Sequence, residues 1–126
     1  MEKEIWIIED DQDWREIFTE DLRDYFKIKF FWDLNDAKDN LVKRIDEKQK
    51  IPLNYISDFY IEGDLEEFYK IIKKENSSSN LYIFSGANKT DLEIFSEKTK
   101  IPYEDIFQKR DSWDLINKLI DVSKKC

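Results

Sequence analysis

The sequence predicts an α/β protein: a doubly wound sheet of five parallel strands in the order 2-1-3-4-5, with helices on both faces. Two observations carry this. Short apolar runs alternate with stretches whose apolar residues recur at helical spacing, the rhythm of parallel strands joined by crossover helices. The rhythm repeats five times within 126 residues, close to the commonest domain size, so residues 1–126 are expected to form one domain without a linker or low-complexity segment.

The first strand is expected at about Glu4 to Ile8, followed by a helix from about Asp13 to Phe26 that places Trp14, Ile17, Phe18, Leu22 and Tyr25 on one face. The second strand is "KIKFFW", 27 to 32, at an edge of the sheet because it carries two lysines. Leu34, Ala37, Leu41 and Ile45 mark the second helix. "LNYIS", 53 to 57, introduced by Pro52 and ending at Asp58, is the third strand, with Leu65, Phe68 and Ile72 as the helix after it. "KKENSSSN", 73 to 80, reads as a surface loop, because its serines and asparagines compete with regular backbone pairing. The fourth strand is "LYIFS", 81 to 85, followed by a helix lined by Leu92, Phe95 and Thr99. Pro102 opens the last unit, with a strand at about Glu104 to Gln108, Asp111 or Ser112 as a cap, and Ile116, Leu119 and Ile120 facing inward. Five such units define a flavodoxin-like sheet.

Composition narrows the function. Forty per cent hydrophobic and 40% charged residues are those of an ordinary soluble protein. A net charge of -8, with 21 basic residues interleaved among 29 acidic ones, argues against direct nucleic-acid binding. The absence of histidine removes Ser/His/Asp and Cys/His catalysis, histidine phosphotransfer and imidazole-bound zinc. The single cysteine, Cys126, leaves no intramolecular disulfide. "MEKEIWII" lacks the pattern of a signal peptide, and no run approaches the ~20 apolar residues of a membrane helix, so a cytoplasmic location is expected.

In such a sheet, ligands bind outside the carboxyl ends of the strands, at the switch point between strands 1 and 3. There the chain puts Glu9 and Asp10 after strand 1, Asp58 after strand 3, Ser85 after strand 4 and Lys109 after strand 5. Crowded carboxylates repel, so something positive is expected between them: a metal ion, a lysine, or otherwise water. Mg²⁺ is typically held by one or two carboxylates plus phosphate oxygens, and a lysine pairs with the same phosphate as a point charge. Taken singly, each residue has an ordinary reading, as a solvated turn, a cap or a surface charge, and Trp14 and Trp113 read as core. Together they fall at the ends of four strands on one rim.

This constellation resembles the receiver domain of bacterial two-component response regulators over essentially the whole chain. The carriers are "IIEDDQDWR", "YISDFYIEG", "YIFSGA" and "DIFQKRDSWDLI". The resemblance implies that Glu9, Asp10 and Asp58 hold Mg²⁺ with the backbone carbonyl of Tyr60, and that Asp11 is a neighbouring surface acid. It implies that Asp58 accepts a phosphoryl group, that Ser85 bonds a phosphoryl oxygen and that Lys109 pairs with the phosphate. The chain departs from the family in having Glu62 and Arg110 where prolines are common, and Ile106 beside Phe107 where a switch aromatic is often found. The implied function is a stand-alone receiver that takes its phosphoryl group from a histidine kinase or phosphotransfer partner. With no effector domain expected after Cys126, output is expected through contact with a downstream protein, or by passing the phosphoryl group on, and no enzyme activity is expected beyond its own phosphorylation and dephosphorylation. The alternative is a degenerate receiver that works as a phosphorylation-independent interaction module. A Mg²⁺-dependent hydrolase would need a further acid or base, and none is found.

Overall fold

The computed structural model describes residues 3–125, so Cys126 and the first two residues lie outside the description. Strands β1 (Glu4–Ile8), β2 (Lys27–Phe31), β3 (Asn54–Asp58), β4 (Asn80–Ser85) and β5 (Ile106–Gln108) form one parallel sheet in the order β2-β1-β3-β4-β5. Helices α1 (Gln12–Leu22), α2 (Leu34–Asp46), α3 (Leu65–Glu75), α4 (Lys89–Thr99) and α5 (Ser112–Lys124) alternate with them. Both the flavodoxin-like class and the strand order agree with the sequence-based expectation.

Because side chains alternate across a strand, each strand feeds two apolar layers. Trp6, Ile8, Tyr55, Leu81 and Ile83 pack with Leu34, Leu41, Phe68, Ile72 and Leu92 of α2, α3 and α4. Ile5, Ile7, Ile56, Tyr82 and Phe84 pack with Phe18, Leu22, Leu115, Ile116 and Leu119 of α1 and α5. The lysines of β2 are exposed at the sheet's edge, as expected.

Several boundaries differ from expectation. Helix α1 ends at Leu22, because the backbone N–H groups of both Tyr25 and Phe26 turn back to the Leu22 carbonyl, each at 3.0 Å. That turn drops Phe26 into the core and leaves Ile17 and Tyr25 exposed. Helix α3 runs through Glu75 and β4 begins at Asn80, so the loop after α3 is only 76–79, closed by the Asn76 side chain accepting the Ser78 N–H. Pro102 starts a 3-10 turn, Tyr103–Asp105, so β5 holds only three residues. Asp111 sits at the start of α5 but its side chain caps nothing; a second 3-10 turn, Lys109–Asp111, runs straight into the helix. Trp113 is 61% exposed, not core.

Candidate functional site

The carboxyl end of β1 is shaped by hydrogen bonds that begin in the sheet and finish in α1. The Glu9 N–H donates to the Phe31 carbonyl at 3.1 Å, continuing the β1–β2 ladder one residue past the strand. The Asp11 N–H then donates to Glu9 Oε1 at 3.0 Å, and the Asp11 carboxylate accepts the Asp13 N–H at 2.8 Å as the N-cap of α1. So Asp11 is consumed by the helix start, where its charge also suits the helix dipole. Glu9 is turned inward and fully buried, while Asp10 is exposed at the rim.

Strand β3 delivers Asp58 beside them. One carboxylate oxygen each of Glu9, Asp10 and Asp58 lie within 4.8 Å of one another. Asp58 is buried; its Oδ1 accepts the Tyr60 N–H at 3.2 Å, and its Oδ2 faces Lys109 Nζ at 3.6 Å. Burial pushes the Glu9 carboxyl up to about 7; the Asp11 N–H opposes the shift, the charge of Asp58 adds to it, Lys109 opposes it and Asp10 adds to it. A buried acid so hard to ionise, with two more carboxylate oxygens converging on it, is a donor set suited to a hard divalent cation.

The remaining residues flank this cluster. Ser85 lies one position beyond the Asp58–Phe84 pair of the β3–β4 ladder. It is fully buried, and its Oγ accepts the Ala87 N–H at 2.9 Å, which leaves the hydroxyl proton free to donate. Gln108 Nε2 donates to the Ala87 carbonyl at 3.1 Å, tying the loop after β4 to the end of β5. The Lys109 ammonium lies 5.9 Å from the Trp14 ring centroid and 5.5 Å from that of Phe84, and those rings meet edge to face. Trp14 is thus a wall of the site as well as half-buried packing against Phe18.

Glu9, Asp10, Asp58 and Lys109 therefore meet as expected, and Ser85 stands beside the end of β3. Tyr60, two residues after Asp58, has its side chain exposed and donates its N–H to Asp58 Oδ1. Arg15 is the participant the sequence reading missed. Its Nε donates to the Glu9 carbonyl at 2.6 Å, and its guanidinium lies over the Trp32 ring, 3.8 Å from the centroid. The available signal was its place one helical turn after Asp11, on the side of α1 that returns to the acidic strand end.

No protein-family model and no curated protein matches this sequence. Solved structures do. The signal receiver domain of a DNA-binding response regulator from Colwellia psychrerythraea 34H is 25% identical, with a TM-score of 0.70 over 96% of this chain and 97% of that one. A CheY-like response regulator receiver domain from Methanospirillum hungatei JF-1 is 15% identical, with a TM-score of 0.69 over 99% of this chain and 98% of that one. A two-component response regulator from Legionella pneumophila is 19% identical, with a TM-score of 0.69 over 99% of this chain and all of that one. A doubly wound sheet with an acidic cluster and a lysine at its carboxyl rim defines a class of protein. Within that class, this chain has the fold of response regulator receiver domains, the CheY-like architecture. Among the described residues, no helix is long and apolar enough to cross a membrane.

Proposed function

We propose that this protein is a phosphoryl-accepting receiver, with Asp58 as the nucleophile. The observation that carries the proposal is the environment of that one carboxylate, which has Lys109 Nζ 3.6 Å from Oδ2 and a carboxylate oxygen each of Glu9 and Asp10 within 4.8 Å of one of its own. An Asp58 oxygen attacks the phosphorus of a phosphohistidine on a partner kinase or phosphotransfer protein. The P–N bond breaks, its electron pair leaves with the imidazole nitrogen, and the product is an acyl phosphate on Asp58 that water later hydrolyses. Glu9, Asp10 and Asp58 would hold Mg²⁺, with the Tyr60 carbonyl as a further ligand; when bound, the ion supplies neutralising charge to the phosphoryl oxygens. Lys109 pairs with the incoming phosphate, and the free hydroxyl proton of Ser85 meets one of its oxygens. The acidic surface suits protein partners and not nucleic acid. The site offers positioning and charge for one transfer to itself, which is signalling chemistry rather than turnover of a free substrate.

Output runs through the face built by α4, β5 and α5. Ile94 and Trp113 are about 60% exposed there, Phe107 is half-buried, and the loop between β4 and α4 is held at once by Ser85 and Gln108. The test is intact mass after incubation with acetyl phosphate and Mg²⁺. One added phosphate is expected; no gain under conditions that phosphorylate a control receiver would leave the phosphorylation-independent interaction module as the reading.

A further inference from the structure

The acidic cluster poses a problem that Lys109 does not solve. Lys109 faces Asp58, whereas Glu9 and Asp10 lie at the end of β1. A second cation, Arg15, sits against the β1 end but touches neither carboxylate by hydrogen bond; its Nε is spent on the Glu9 backbone carbonyl. Its Nη2 is buried with no partner among the described residues, a cost of burial that needs an offset. Burial pulls the guanidinium below its ordinary value, while Glu9 and Asp10 pull the other way. The offset is aromatic: the guanidinium lies 3.8 Å from the Trp32 ring centroid and 5.0 Å from that of Phe30. This also accounts for Trp32, 58% exposed just past β2.

We propose that Arg15 is the positioning residue of the acidic site, clamping the Glu9 backbone from its seat on Trp32 so that the Glu9 and Asp10 carboxylates converge with Asp58. The inference rests on the reading of these three carboxylates as a Mg²⁺ site. Two effects of Arg15 on the ion oppose each other. Its positive charge repels a cation, and its hydrogen bond fixes the peptide between the two ligands. A charge-conserving substitution separates them. In Arg15→Lys the charge stays, but a methylene stands where Nε donated and the planar stack on Trp32 is gone. Trp32→Ala likewise leaves the charge untouched and removes the seat.

The experiment is a titration with MgCl2 alone, followed by ¹⁵N-HSQC spectra of the parent, Arg15→Lys and Trp32→Ala, with urea midpoints measured without Mg²⁺. Loss of an outer residue that orients ligands typically weakens metal binding ~10-fold or more, and that is the expected loss for Arg15→Lys. A smaller loss in the same direction is expected for Trp32→Ala. The Arg15 Nε–H cross-peak should persist in the parent and move as Mg²⁺ saturates. Parent-like Mg²⁺ affinity in both variants overturns the clamp while leaving the metal site standing, and so does weakening that only tracks a fall in the urea midpoint. A parent with no saturable Mg²⁺ response overturns the reading of the site itself. If Arg15→Lys fails to fold, Trp32→Ala decides the question.

Discussion

Lys109 and Asp58 face each other across the rim of the sheet, with the ammonium 3.6 Å from Oδ2, a separation wider than a hydrogen bond. The pair links the ends of β3 and β5, and it leaves the Asp58 oxygen near a positive charge without being capped by it. Asp58→Asn removes the nucleophile and one of the three crowded carboxylates. The variant is expected to gain no phosphate from acetyl phosphate. Without Mg²⁺ it is also expected to be more stable than the parent by ~1 kcal/mol, as relief of like-charge repulsion allows. Undiminished phosphorylation at the native site, or a lower urea midpoint, would contradict the assignment.

Asp10 and Asp11 are adjacent carboxylates with unlike jobs. Asp10→Asn is expected to weaken Mg²⁺ binding strongly, since Asp10 contributes an oxygen to the cluster. Asp11→Asn is expected to change it little, and also to keep its helix, because asparagine caps as well as aspartate. Asp11→Ala instead costs ~1 kcal/mol of stability through loss of the cap. Calorimetric Mg²⁺ titration and urea melts of the three variants check the division, and equal loss of affinity at both positions would refute it.

Glu9 makes the metal-free domain sensitive to pH. Its carboxyl is raised from an ordinary 4.5 to about 7, so between those values the folded state holds a proton that the unfolded chain has released. The contribution of Glu9 to stability is therefore fully present below about pH 4.5 and is lost as pH rises through 7. In EDTA the parent should lose stability relative to Glu9→Gln from pH 5.5 to 8. Mg²⁺ binds the ionised form and should stabilise the parent more at pH 8 than at pH 5.5. Urea melts at the two pH values decide this, and a difference of opposite sign between parent and Glu9→Gln would exclude it.

Gly63 couples the loop after Asp58 to the start of α2. Its φ is +120°, and a Cβ there would stand 2.5 Å from Leu34 Cβ, while the Leu34 N–H donates to the Glu62 carbonyl at 2.9 Å. Gly63→Ala is expected to cost ~1–3 kcal/mol through backbone strain and overpacking together. The midpoint of urea unfolding measures it; a neutral result would mean that this loop moves freely of α2.

Ser85 is placed to carry the phosphorylated state outward. Hydrogen exchange with and without beryllofluoride and Mg²⁺ is expected to change in the loop after β4 and along α4 and β5, and to change much less in Ser85→Ala. A tenfold population shift needs ~1.4 kcal/mol, within the reach of one hydrogen bond to a charged oxygen. Changes confined to the surroundings of Asp58, or an unaltered response in Ser85→Ala, would rule out this route.

The fold was legible because its signals are local. Ile- and aromatic-rich runs, and helices with one apolar stripe, announce their period whatever surrounds them, so β1, α2 and the sheet order follow from pattern. The candidate site was legible for a related reason: once the strands are parallel, all their carboxyl ends share one rim, and the residues that follow them must gather there. That gives Glu9, Asp10, Asp58 and Lys109 a common location before any distance is known.

Tertiary structure decided the rest, wherever backbone hydrogen bonding and competition for burial overrode local pattern. Helix α1 stops at Leu22 because the chain must turn to enter β2, which buries Phe26 at the expense of Tyr25. Trp113 is apolar and helical, yet faces solvent because Leu115, Ile116 and Leu119 occupy the inner face of α5. Above all, Arg15 and Trp32 lie seventeen positions apart, on different elements, with nothing in their spacing to pair them. Only the packing of α1 against the end of β2 brings the guanidinium onto the indole and its Nε onto the Glu9 carbonyl, because a stacking contact depends on where two faces come to rest in space.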